Sequence, residues 1–197
     1  MISYIRGQLV SKTPTGVIVE NNGVGYYLHV TLNTYASIQD KSECQLHTYL
    51  HVKSEGQSVS AFDLYGFSTE EERSIFELLL SVSGIGASTA RMMLSSLSPD
   101  EVRDAVASEA EHIIKAVKGI GPKTAKRLIL ELKDKIGAGA ENISAPADNT
   151  YRTEALSALV SLGFPRSQAE KAINEVLRAN PHPASVEDLI KTTLKTL

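Results

Sequence analysis

Residues 78–97, LLLSVSGIGASTARMMLSSL, align without a gap to residues 113–132, IIKAVKGIGPKTAKRLILEL, an internal repeat with an offset of 35 residues. Each copy runs from an apolar stretch into Gly-Ile-Gly, as Gly84-Ile85-Gly86 and Gly119-Ile120-Gly121, and then through Thr89-Ala90 or Thr124-Ala125 into a second apolar stretch. The pattern predicts, twice, two short helices joined by a tight turn. The glycines permit positive φ and close approach, while the isoleucine between them plugs into the core and holds the turn rigid. The helix that follows begins with unpaired N–H groups at the positive end of its dipole, which makes each turn an anion site.

A single Gly-x-Gly turn is most often a plain helix connection. Two copies, with the small Ala90 and Ala125 at matching places, resemble the helix-hairpin-helix motif, which grips the DNA phosphate backbone without reading bases. In the second copy Lys118, Lys123, Thr124, Lys126 and Arg127 surround the turn and are candidate phosphate contacts. The competing reading is a solvated face in which Lys126 and Arg127 pair with Glu131 and Asp134. The first copy has Ala87-Ser88 where the second has Pro122-Lys123, so it relies on backbone amides with Ser83, Ser88, Thr89 and Arg91, and is expected to be the weaker half.

Rival chemistries fit these residues poorly. Gly121-Pro122-Lys123-Thr124 lacks the glycine directly before lysine, and the one five positions earlier, that a nucleotide phosphate loop requires. The Gly-x-Gly turns also lack the third glycine of a dinucleotide fingerprint and follow helical segments. Histidines 29, 47, 51, 112 and 182 are scattered and Cys44 is the only cysteine, which gives zinc little support. No Ser, His and carboxylate grouping is recognisable.

Outward from the repeat, residues 1–67 read as strands. Cys44, Leu46, Thr48, Leu50 and Val52 alternate with Glu43, Gln45, His47, Tyr49 and His51, and residues 17–20 join 24–30 through Asn21-Asn22-Gly23 as a hairpin. About five strands fit, and an OB-type β-barrel is the economical closure, with a small open sheet as the alternative. From Ser68 the period becomes helical. Helix starts are expected at Ser68 with Glu71 in a capping box, at Ser98-Pro99-Asp100-Glu101, and at 108–111. Residues 137–150 lack apolar periodicity and read as a flexible linker. Beyond it three helices are expected, at about 153–162, 165–179 and 185–196, the last capped by Ser185. The fold class is therefore multidomain α+β: barrel 1–67, tandem helix-hairpin-helix 68–136, linker 137–150 and a three-helix domain 151–197.

The 197 residues carry a net charge of −3, with 42% hydrophobic and 22% charged side chains, a globular balance. Charge is distributed unevenly: residues 115–135 hold seven basic side chains against Glu131 and Asp134. No run approaches the ~18 apolar residues of a membrane span. The N-terminus does not read as a signal peptide, and with a lone cysteine the expected compartment is the cytoplasm.

Barrel, tandem hairpins, linker and helical tail, in this order, resemble the RuvA family of bacterial Holliday junction-binding subunits. The resemblance is carried by Met1-Ile2, Tyr4-Ile5-Arg6-Gly7, Gly23-Val24-Gly25-Tyr26, Leu64-Tyr65-Gly66-Phe67 and Gly119-Ile120-Gly121-Pro122-Lys123-Thr124-Ala125. It implies a non-catalytic homotetramer that grips four-way DNA in recombination and repair, with no cofactor. It further implies a RuvB ATPase motor reached through residues 151–197, a UBA-like three-helix fold, and a RuvC resolvase as partner. The family carries an acidic pin between the last barrel strands. In the 52–63 loop, Glu55 stands nearest the expected place, while Asp63 reads as a strand-edge residue. The alternative from another class is a helix-hairpin-helix nuclease or glycosylase. It would need catalytic groups near the hairpins, and the nearest carboxylates, Asp100 and Glu101, are explained by capping.

Overall fold

The computed structural model describes residues 2–55, 58–140, 147–180, 183 and 185–197. Its side chains are described there too, except at 54, 55, 58–60, 134, 136–140 and 147–150. Five strands, β1 (Tyr4–Thr13), β2 (Gly16–Asn21), β3 (Val24–Val30), β4 (Glu43–Glu55) and β5 (Ser58–Phe67), close into a barrel in the order β1-β2-β3-β5-β4. All neighbouring pairs are antiparallel except β3 with β5. The Asn21-Asn22-Gly23 turn links β2 to β3 as expected, with Asn22 and Gly23 at φ 50° and 80°, the two positive values of a type I′ turn. Ile5, Val17, Val19, Leu28, Val30 and Leu46 fill the interior, helped by Ile38 from a short helix, α1 (Leu32–Ile38).

Five helices follow the barrel: α2 (Glu70–Leu80), α3 (Ala87–Ser96), α4 (Pro99–Ala107), α5 (Glu111–Ala116) and α6 (Pro122–Ala140). Their core starts on the barrel, where Tyr65 and Phe67 of β5 and Tyr49 of β4 meet Phe76 of α2 with ring centroids 5.0, 4.9 and 5.5 Å away. From there it runs through Leu79, Val82, Ile85, Met93 and Leu94 to Ile114, Ile120, Leu128 and Leu132. Barrel and helices are further joined by a buried carboxylate. Glu72 of α2 accepts hydrogen bonds from Thr31 Oγ1 at 2.5 Å and Thr34 Oγ1 at 2.6 Å, while Thr31 itself caps α1. Both partners and the acid are buried, so the carboxyl group is held by short hydrogen bonds in place of water.

The chain divides into two compact units, 1–136 and 137–197. In the second, α7 (Ala147–Ser161), α8 (Arg166–Ala179) and α9 (Val186–Thr193) pack around Ala155, Leu159, Ala169, Ile173, Val176 and Leu189. Ser185 caps α9 as expected, its side chain accepting from the Asp188 amide.

Four expectations are corrected. The α2 cap is Thr69, which accepts from the Glu72 amide, and not Ser68 with Glu71, because the Glu72 side chain is drawn to the threonines of α1. Ser108 ends α4, and α5 starts after Ala110 with no side-chain cap. The 52–63 segment is ladder through most of its length, with Val52 opposite Phe62 and Glu55 opposite Ser58, and not a loop. The 137–150 linker is shortened at both ends, since α6 continues to Ala140 and α7 begins at Ala147. Among the described residues no helix is long and apolar enough to cross a membrane.

Candidate nucleic-acid interface

The two Gly-Ile-Gly turns are near copies in space as well as in sequence. Gly84 and Gly119 adopt φ of 91° and 92°. The amides of Ile85 and Ile120 donate to Val82 and Val117 carbonyls at 3.1 and 3.2 Å, closing turns with the positive φ at the third residue, as in a type II turn. Ile85 and Ile120 are each 6% exposed, so both act as the anticipated plugs. Ala90 and Ala125 are fully buried, and their amides begin the next helices by donating to Gly86 and Gly121 carbonyls, each at 2.9 Å.

What these turns present outward follows from the backbone. Gly86 is the N-cap of α3, and no side chain caps that helix, so its first-turn N–H groups face outward unsatisfied by the protein. A Cβ built on Gly84, Gly86, Gly119 or Gly121 would meet no protein atom within 4 Å. Internal packing therefore leaves open the ground directly outside both turns, which suits a ligand that must approach the main chain.

Around the second turn Lys118, Lys123 and Lys126 are exposed and form no salt bridge among the described residues, while Thr124 is half-buried. Arg127 does not pair with Glu131: its NH1 donates to Ser83 Oγ at 3.2 Å, at the edge of the first turn. That bond brings the start of α6 beside the first Gly-Ile-Gly turn, so both turns share one neighbourhood. Lys135 is bonded to Ser81 Oγ at 2.6 Å, which ties the same two helical segments together further along. Lys133 is ion-paired with Glu109.

In the first turn Ser88 is exposed and Thr89 half-buried. Arg91 has partners on the barrel. Its Nη1 donates to the Thr15 carbonyl at 3.0 Å and lies 3.4 Å from His29 Nδ1, so this nitrogen is engaged by the barrel. No local sequence signal could have revealed this, because the partners lie 76 and 62 residues away. Asp63 lies within β5 and holds Lys53 at 2.5 Å, and that bond keeps its carboxyl below the usual range. Glu55 closes β4 opposite Ser58 at the hairpin end, and its side chain lies outside the described residues. Among the described residues no group of three or more His, Cys, Asp or Glu side chains could hold a metal ion.

An OB-type barrel fused to a tandem pair of helix-hairpin-helix turns, open at the main chain and with lysines around the second, defines a class of proteins that grip the nucleic-acid backbone. Three family models divide the chain between them. The RuvA N-terminal domain covers residues 1–66, a SAM-like helix-hairpin-helix tandem covers 76–134, and the RuvA C-terminal domain covers 151–197. Relatives match over the whole length. The Holliday junction branch migration complex subunit RuvA of Christiangramia forsetii is 48% identical across all of both chains. The proteins of the same name from Cytophaga hutchinsonii and Bacteroides fragilis are 42% and 43% identical, covering 99% and 100% of each chain. The chain belongs to the RuvA family.

Proposed function

We propose that this chain is a Holliday junction-binding subunit of a branch-migration complex in DNA recombination and repair, and that it contributes no catalytic group of its own. The observation that carries the reading is the matched pair of open turns, with Gly84 and Gly119 at φ 91° and 92° and exposed lysines beside the second. Backbone amides at helix starts and mobile lysines bind phosphates whatever the sequence, so selectivity must come from the arrangement of several copies. A homotetramer with four-fold symmetry would offer one pair of turns to each arm of a four-way junction. In this assembly Gly84, Ile85, Gly86 and Ser88 form the first grip, and Lys118, Gly119, Ile120, Gly121, Lys123, Thr124, Lys126 and Arg127 the second.

The end of the β4–β5 hairpin, with Glu55, is assigned to the acidic pin at the crossover, where a carboxylate repels phosphates. Residues 151–197 are assigned to docking the RuvB ATPase, which supplies motion, and RuvC resolves the junction afterwards. The cytoplasm is the compartment that fits these partners.

Competition binding tests the reading. A labelled four-way junction, challenged with excess duplex of the same sequence, should stay bound, and native mass measurement of the free protein should give a tetramer. Equal affinity for junction and duplex, or a monomer at binding concentrations, overturns it.

A further inference from the structure

Arg91 stands on α3 one helical turn beyond its start, and its guanidinium reaches the barrel through one nitrogen: Nη1 donates to the Thr15 carbonyl at 3.0 Å in the β1–β2 turn and lies 3.4 Å from His29 Nδ1 on β3. A guanidinium only donates, so Nδ1 must offer its lone pair and the imidazole proton must sit on Nε2. Nε2 lies 3.8 Å from Asp63 Oδ1 on β5, and Asp63 Oδ2 holds Lys53 of β4 at 2.5 Å. Tyr27 meets the ring edge-on with centroids 5.1 Å apart, and Tyr65 flanks it at 5.3 Å. The β1–β2 turn, β3, β4, β5 and α3 thus converge on one polar joint at His29.

We propose that His29 and Arg91 are a positioning pair for the first phosphate grip: they fix α3, and with it the Gly84-Ile85-Gly86 turn, on the barrel, and Arg91 acts through this joint without touching DNA. The proposal rests on reading that turn as a phosphate grip. The physical need lies in the difference between the two turns. A lysine reaches a phosphate from many rotamers, so the second turn tolerates some error in placement. The first turn has Ser88 where the second has Lys123, and it depends on amide N–H groups, which bind only where the backbone aims them. A grip made of amides needs a rigid mount.

The joint carries its own signature. Burial first, and then the charge of Arg91, hold the His29 pKa below its ordinary 6.5, with Lys53 acting the same way and Asp63 opposing. A proton on Nδ1 would set an N–H against the guanidinium N–H and break the contact. The groups facing His29 are Arg91 from α3, Asp63 and Tyr65 from β5, Lys53 from β4 and Tyr27 from its own strand. A base whose pKa is lowered in the folded state stabilises fully above 6.5, and that contribution is lost as pH falls through the lowered value.

The test uses the full-length protein with His29→Phe, which keeps a ring between the tyrosines but accepts nothing, and Arg91→Met. Without DNA, hydrogen exchange at the Ile85 and Ala90 amides should quicken about 3- to 10-fold in both variants, while β2 amides keep the parental rate. Junction binding should weaken by a similar factor in both, and Arg91→Met should retain the parental dependence on salt. The parent should also lose affinity as pH falls below 6.5, toward the lowered pKa of His29, whereas His29→Phe should be equally weak above and below 6.5, since it has no proton to gain. Unchanged exchange overturns the joint. A salt slope reduced by about 0.9 in Arg91→Met makes Arg91 a phosphate contact and overturns the proposal differently. If exchange responds as expected but the parent has no salt-dependent affinity for DNA, the phosphate-grip reading fails while the joint stands.

Discussion

Gly119 and Gly121 stand two residues apart and do different work. At Gly119 the φ of 92° lies in the left-handed region, where an L side chain costs about 1–2 kcal/mol. Gly121 has no such φ, and a Cβ there meets no protein atom within 4 Å. Gly119→Ala should therefore lower stability by about 1–2 kcal/mol in denaturant titration. Gly121→Ala should cost less than about 1 kcal/mol yet weaken junction binding, because its methyl occupies ground left for a phosphate. Equal stability losses, or full binding by Gly121→Ala, would contradict this division. Lys123→Ala removes one positive contact and should weaken junction and duplex alike, about threefold each, with a log–log salt slope smaller by roughly 0.9. Ser88→Ala at the matching place should do less. At this scale the sequence was informative for a physical reason: positive φ, a plug residue and a helix start are all local properties, written within the twenty residues of each repeat. The barrel contact of Arg91 is not legible there, because a contact across 76 residues leaves no local trace, and a basic side chain near a turn looks the same whichever way it faces.

Among the elements, α1 and α2 show how one side chain can hide a helix. The seven residues of α1 are too few for a 3.6-residue period to emerge, and the helix went unread within a stretch of strands. Its start is fixed from outside by Glu72, which also explains why the α2 cap falls on Thr69, one residue later than Ser68. With Glu72 only 2% exposed, Glu72→Ala leaves the Thr31 and Thr34 hydroxyls without their acceptor and should destabilise the first unit by about 3 kcal/mol. Glu72→Gln, which keeps one acceptor oxygen, should cost markedly less. Calorimetry of the two variants checks the order, and equal losses would show that the joint needs both carboxylate oxygens, since glutamine keeps the packing volume and one acceptor. The 52–63 segment is taken as a loop through the family resemblance, which puts the acidic pin between the last barrel strands. The ladder is instead carried by cross-strand pairs such as Val52 with Phe62 and Lys53 with Ala61, whose partners lie on the other strand.

For the whole molecule, the repeat and the change of period near residue 68 were enough to order the parts, while the ends of the linker were not, because Gly137-Ala138-Gly139-Ala140 lacks the apolar period yet continues α6. Small residues can extend a helix already nucleated by the packed Leu128 and Leu132. The division of the chain into units 1–136 and 137–197 gives the last prediction its footing. The barrel core, the core of the helix-hairpin-helix segment and both Gly-Ile-Gly turns lie in the first unit, and the apolar cluster around Leu159, Ile173 and Leu189 is made wholly within the second. Ending the chain after Ala140 should therefore expose little core and leave the phosphate surface intact. The shortened protein should shift four-way junctions with near-parental affinity, yet fail to stimulate the RuvB ATPase or support branch migration. In trans, a 147–197 fragment added in excess should compete with the full chain for the motor without binding DNA. The two experiments fail in different ways. Loss of junction binding on truncation would mean that the tail helps build the DNA platform, whereas persistent migration would mean that the motor is engaged through the first unit, leaving the open turns as a grip and moving the docking surface elsewhere.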